Sequence, residues 1–184
     1  MRPIIGLAGR ARAGKSTAAE LLLRIGAGRY LYSFADPIRD MLLAGLDIDL
    51  DSAYWQMRKE DPIARFGGHS PRSLMQTLGT DWGRERVHPD LWLTLAGDAL
   101  QARGLGMIVA DVRFDNEAAW IRRQGGVVLH IERGKAPPVR AHASEAGVQQ
   151  LPGDLRVFNE STIDSLHVGL AKLFREEPCA TTAP

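Results

Sequence analysis

The stretch Gly6–Leu22, GLAGRARAGKSTAAELL, decides how the rest of the chain is read. Its centre, Gly9-Arg10-Ala11-Arg12-Ala13-Gly14-Lys15-Ser16, carries the spacing G-x-x-x-x-G-K-[ST] without a gap. Glycines in such a loop let backbone N–H groups turn onto phosphate oxygens, and the N-terminus of the following helix adds positive potential. The loop residues Gly9, Ala11, Ala13 and Gly14 are therefore expected around a nucleotide's phosphates. Lys15 would reach the outer phosphates and Ser16 would ligate magnesium. The preceding run PIIGLAG reads as a strand, and KSTAAELLLRIG reads as a helix with Ala19, Leu22 and Leu23 at helical spacing. By itself this stretch predicts a grip on polyphosphate and says nothing of where the phosphate goes.

Working outward, four more strands are expected: YLYSFAD ending at Asp36, GMIVADV, VVLHIER and LRVFNE. Helices separate them, at PIRDMLLAGL, SPRSLMQTLGTDWGRERV, HPDLWLTLAGDALQARG, FDNEAAWIRRQGG and STIDSLHVGLAKLFREE. Ser70 is placed as a helix cap with Pro71 at the first helical position, and Pro37 suits a first turn. The segment from Asp47 to Phe66 is polar and irregular. This alternation predicts an α/β fold in three layers, a five-stranded parallel sheet with helices on both faces. Two segments interrupt it, a helical insert over 36–104 and a Pro/Gly-containing excursion over 134–153. Both follow strands, where such a sheet presents its ligand-binding edge. The expected organisation is one domain over 1–175, the insert holding an acceptor and 134–153 serving as a lid, with a flexible tail over 176–184.

Composition narrows the function classes. The chain has 184 residues, 45% hydrophobic and 24% charged, as ordinary globular proteins do. Its 23 basic and 22 acidic side chains nearly cancel, which gives no general attraction to a nucleic-acid polymer or an anionic membrane. The one cysteine, Cys179, has no partner for a disulfide, and no Cys/His cluster has zinc spacing. With no secretory segment and no apolar run of membrane-spanning length, a reducing cytoplasmic setting is expected.

Further candidates follow from chemistry. Asp111, at the end of MIVAD, is placed to hold magnesium or its water, or alternatively to cap the next helix. Phosphoryl transfer needs guanidinium forks for the acceptor phosphate and for the group in transit. Of Arg72, Arg84, Arg86, Arg113, Arg133 and Arg140, those in the insert suit the first task and those near the lid the second. Solvation is the usual reading for any one of them, and Arg84 and Arg86 could instead decorate a helix end. Among Trp55, Trp82, Trp92 and Trp120, core packing is the default, and Trp92 is the best candidate for stacking on a nucleobase.

Several pieces together resemble the bacteriophage-type deoxynucleoside monophosphate kinases of the P-loop kinase fold. They are GLAGRARAGKST, SFADPIRDML, SPRSLMQTLGTDWGRERVHPDLWL, IVADVRFDNEAAWIRRQGG, HASEAG and VFNESTIDSL, in the expected order from Ile4 to about Leu173. The resemblance implies transfer of the ATP γ-phosphate to a deoxynucleoside monophosphate. It implies an ATP site with Lys15, Ser16 and Thr17, and Asn159 near the adenine. Asp36 and Arg39 would face the reacting phosphates or the acceptor. Arg72, Gln76, Thr80, Asp81 and Arg84 would surround the acceptor. Asp111, Arg113, Asn116 and Glu117 would stand at the strand edge near substrate, and Ser144 and Glu145 in the lid. Lys15, Asp36, Arg113 and Arg140 are the expected catalytic set. Ala143 stands where the family commonly has proline, and Arg39 where it commonly has lysine.

Other readings stay open at this level. A dephospho-coenzyme A kinase has a similar layout and would use Asp36 as a base towards a sugar hydroxyl. A nucleotide-hydrolysing switch is a different class, although the guanine-reading N-K-x-D motif is absent from the chain. Base preference, ribose against deoxyribose, and a homodimer are likewise open.

Overall fold

A computed structural model describes residues 3–134 and 147–175. The chain divides into two compact units, one formed by Met1–Ser33 with Ala99–Pro184, the other by Phe34–Asp98.

The first unit holds the sheet. Its strands are β1 (Ile4–Ala8), β2 (Tyr30–Tyr32), β3 (Met107–Val112), β4 (Val127–Glu132) and β5 (Leu155–Phe158). They lie in the order β2-β3-β1-β4-β5, and every pairing is parallel. β1 is central and buried along its whole length, as a strand covered on both faces must be. Its side chains alternate. Ile5 and Leu7 join Ala18, Ala19 and Leu22 of α1 (Lys15–Arg24) and Leu166 and Leu170 of α7 (Ile163–Arg175) in one core. Gly6 faces α6 (Asp115–Arg123) on the other side, where a Cβ would come within 2.3 Å of Ile121 Cδ1. Complete burial of Ile5 and Leu7 is worth about 2 kcal/mol each. The expected three layers and five parallel strands are therefore present.

The second strand is shorter than the sequence predicts. β2 stops at Tyr32, and Asp36 is instead the first residue of α2 (Asp36–Leu46), with Pro37 in its first turn. Pro37 fixes its own φ at a helical value and lacks an N–H that the first turn could not pair, so the chain turns helical there.

Beyond α2, the second unit contains α3 (Ala53–Met57), a 3₁₀ turn (Ala64–Phe66), α4 (Pro71–Gln76), a π-helix (Thr77–Val87) and most of α5 (Leu91–Arg103). Ser70 caps α4 by accepting from the Ser73 N–H at 3.2 Å, with Pro71 the first helical residue, as expected. The segment read as irregular gains α3 through the Ser52 cap on the Trp55 N–H. The predicted single helix through Val87 is α-helical only to Gln76. Its continuation is wider because Gly79 and Gly83 are buried without side chains: a Cβ at Gly79 would lie 2.8 Å from Ile38 Cδ1, and one at Gly83 2.4 Å from Trp92 Cζ2. Among the described residues, no helix is long and apolar enough to cross a membrane.

Candidate active site

In the first unit the chain leaves β1 at Ala8 and enters α1 at Lys15, and the connecting loop is tied from several sides. The Ala13 N–H returns to the Arg10 carbonyl at 3.2 Å, closing a turn, and Arg12 takes a left-handed φ of 62°. Gly14 has φ 97°, a value that L side chains rarely tolerate. Lys15 Nζ donates to the carbonyls of Gly9 at 2.6 Å and Arg10 at 2.9 Å, so the ammonium lies over the loop itself. Ser16 is exposed at the start of α1, and Thr17 is half-buried beside it. Arg133, just after β4, donates from Nη1 to the Arg12 carbonyl at 3.4 Å. Asn159, just after β5, donates from Nδ2 to the Ala13 carbonyl at 2.8 Å.

Register brings Asp111 to this end of the sheet. β3 pairs with β1 so that Ala8 lies beside Val112, which sets Asp111 next to the start of the loop. Asp111 is the penultimate residue of β3 rather than its last, and its Oδ2 accepts the Ser33 hydroxyl at 2.6 Å. Ser33 was read from the sequence only as part of a strand; nothing local to SFAD announces this contact.

Arg113 and Asn116 lie at the β3–α6 junction, exposed and half-buried respectively. Glu117 shares that junction but is 1% exposed, and its Oε2 accepts the N–H groups of Arg113 at 2.7 Å and Phe114 at 3.1 Å. Its carboxylate thus closes the first turn of α6. Glu117 lies at the strand edge where it is expected, with Oε2 turned onto the start of its own helix.

Residues 149–154 are tied to the sheet through a polar network absent from the sequence reading. Gln149 N–H donates to Asp115 Oδ1 at 3.0 Å, and the Gln149 carbonyl accepts from Arg122 at 3.2 Å. Asp154, its side chain 2% exposed, accepts from Arg122, from His130 Nε2 at 3.0 Å and from the Leu151 N–H at 2.9 Å. Burial pushes the Asp154 pKa up, but these hydrogen bonds and the Arg122 charge outweigh it and hold the pKa below the usual carboxylate value. Arg140, Ser144 and Glu145 lie outside the described residues.

In the second unit Asp36 and Arg39 meet each other, Nη1 to Oδ1 at 2.5 Å across one turn of α2, and Arg39 Nε lies 3.7 Å from Asp51. Arg72 pairs with Glu60 at 2.5 Å. Gln76, Thr80 and Arg84 recur at four-residue spacing along α4 and the π-helix, all half-buried, with Asp81 exposed beside them. On a helix of this pitch that spacing keeps them on one side, and π-helical segments are frequent at functional sites. The buried Gly79 and Gly83, one residue before Thr80 and Arg84, line an adjoining, packed side.

Trp92 belongs to that packed side, which corrects its reading as a stacking face. It is 1% exposed, its indole N–H donates to the Gly79 carbonyl at 2.7 Å, and its ring fills the space above Gly83. A ring with no exposed face cannot receive a base. Core packing is its role.

Comparison with known proteins places this geometry in context. Residues 67–169 match the family model described as Deoxynucleotide monophosphate kinase. A protein of Acanthamoeba polyphaga mimivirus, provisionally named a deoxynucleotide monophosphate kinase, is 31% identical over 179 residues, covering 89% of this chain and 92% of that protein. The deoxynucleotide monophosphate kinase of Enterobacteria phage T4 is 35% identical over 101 residues, covering 53% of this chain and 42% of the phage protein. Among solved structures, the dephospho-CoA kinase from Campylobacter jejuni is similar in fold. It has a TM-score of 0.51, covers 96% of this chain and 97% of its own, and is 15% identical in sequence.

Proposed function

The chain belongs to the deoxynucleotide monophosphate kinase family, and on that premise we propose that it moves the γ-phosphoryl group of ATP onto a deoxynucleoside monophosphate. It is a phosphotransferase. The observation that carries the reading is the phosphate loop with Lys15 and Ser16 opening α1 and Asp111 on the adjoining strand.

On this reading the loop's N–H groups and Lys15 hold the donor's phosphates, and Lys15 exchanges its contacts with Gly9 and Arg10 for phosphate oxygens. Arg113, together with Arg140, meets the charge on the phosphoryl group in transit. Magnesium fits the donor set: Mg²⁺ binds through one or two protein oxygens together with phosphates and water. Ser16 and Asp111 supply oxygens of that kind. Among the described residues no three acids, histidines or cysteines gather into a closed cage, so the substrate's phosphates would complete the shell. Bound there, the ion would neutralise charge between the donor's outer phosphates.

The acceptor in this proposal is itself an anion at neutral pH, so it needs orientation more than a base. The Asp36–Arg39 pair suits that task, since the guanidinium fixes the direction of the carboxylate. Arg72, Gln76, Thr80, Asp81 and Arg84 form the acceptor face of the insert over 36–104. Ser144 and Glu145 belong to the lid over 134–153, in one functional domain over 1–175. The likeness to the dephospho-CoA kinase, at 15% identity, concerns the fold alone.

The deciding experiment supplies ATP and magnesium with each common dNMP, each NMP and dephospho-coenzyme A, and separates the products by chromatography. Diphosphates formed from dNMPs are expected. Turnover with dephospho-coenzyme A alone, or ATP consumption that no monophosphate changes, would overturn the proposal.

A further inference from the structure

Asn159 sits immediately beyond β5, and its backbone N–H donates to the Glu132 carbonyl at 2.8 Å, extending the β4–β5 ladder by one bond. That bond fixes the residue's backbone, and its side chain reaches into the phosphate loop. Nδ2 donates to the carbonyl of Ala13, a residue 1% exposed. The fit is close: a Cβ on Gly14 would lie 2.3 Å from Nδ2. Gly14 is therefore required twice, for its positive φ and for room beside the Asn159 amide.

The held carbonyl belongs to the Ala13–Gly14 peptide. A trans peptide is planar, with its C=O and N–H pointing in opposite directions. Fixing the Ala13 oxygen towards Asn159 therefore fixes the Gly14 N–H in the opposite direction. The Gly14 carbonyl accepts the Ala18 N–H at 2.9 Å, so the next peptide is set by the first turn of α1. Between them, the two bonds determine the direction of the loop's last peptide before Lys15.

We infer that Asn159 is a positioning residue for the donor site: it orients the Gly14 N–H towards the polyphosphate and makes no contact with the base. The inference rests on the donor-site reading above and departs from placing Asn159 at the adenine. It specifies that the amide's work is independent of which base the triphosphate carries.

The test uses the full chain with Asn159→Ala and, as a near-isosteric variant without the donor, Asn159→Leu. Dissociation constants are measured for ATP, GTP and inorganic pyrophosphate, alongside KM for the monophosphate and a thermal melt. In whichever variant stays folded, affinity for ATP and for pyrophosphate should fall by a common factor of about ten, from loss of one oriented donor to a charged group. The ATP-to-GTP ratio and the KM for the monophosphate should stay at wild-type values. Unchanged pyrophosphate affinity in a folded variant overturns the inference, as does a loss confined to ATP with an altered ATP-to-GTP ratio. A wild-type protein binding neither ATP nor pyrophosphate would instead overturn the donor site itself.

Discussion

The guanidinium of Arg122 holds the carboxylate of Asp154 by two hydrogen bonds, Nε to Oδ1 at 3.0 Å and Nη2 to Oδ2 at 2.6 Å. This fork joins α6 to the residue that precedes β5, and the same carboxylate gathers His130 and the Leu151 N–H. Removing one partner of a buried pair leaves the other charge uncompensated. Asp154→Ala should therefore lower stability by about 3 kcal/mol in urea unfolding at neutral pH.

The same carboxylate sets an acid limit. Its pKa is lower folded than unfolded, so its stabilisation is complete above the unfolded value and is lost as pH falls through the lower folded one. Urea titrations at pH 6 and pH 3 should show wild type losing more stability on acidification than Asp154→Ala. Parallel losses in the two proteins would remove Asp154 from the account.

Lys15→Ala should reduce kcat by at least about a hundredfold, the usual cost of removing one preorganised donor from a transition state. Its described bonds go to two loop carbonyls, so the thermal midpoint should hardly move. Near-normal turnover would remove Lys15 from the phosphoryl path.

Arg84→Ala should raise the KM for the monophosphate about tenfold, as expected for losing a hydrogen bond to a charged group. The KM for ATP should stay unchanged. Equal effects on both substrates would mean that the residue shapes the unit generally and does not read the acceptor.

Gly83→Ala and Trp92→Phe should be coupled. The added methyl meets the indole at 2.4 Å, and the smaller ring leaves room for it. A double-mutant cycle in urea should return about 1 kcal/mol or more of coupling. Strict additivity would mean that the wide helical turn does not depend on this contact.

The sheet was legible because parallel strands buried on both faces are written as continuous apolar runs, as in MIVADV, while the Ser70-Pro71 start announces its own helix. The π-helix was not, because TLGTDWGRERV has no local preference for the wider turn; Gly79 and Gly83 meet Ile38, 41 positions earlier, and Trp92, nine positions later, and those contacts exist only once the unit has packed. Trp92 shows the same limit from the other side. Composition allows a tryptophan to stack or to pack, and burial decides. Glu117 did carry a signal, an acid at the third helical position, but Phe114 replaces the usual polar cap residue and hid the pattern. Ser33 with Asp111, and Asp154 with Arg122 and His130, are partners only after folding, and each member looks like a solvated side chain until then.

The hydrogen bond from Asn159 to Ala13 spans 146 positions of the chain. A ribosome delivers the glycines of the loop well before the side chain that fastens their last peptide. The central β1 likewise waits for β3 and β4 before it has neighbours on both edges. Such distant pairings form slowly. Nucleotide affinity should therefore emerge only once Asn159 is in place, and a nascent chain halted before residue 159 would carry the full motif with its last peptide unfastened.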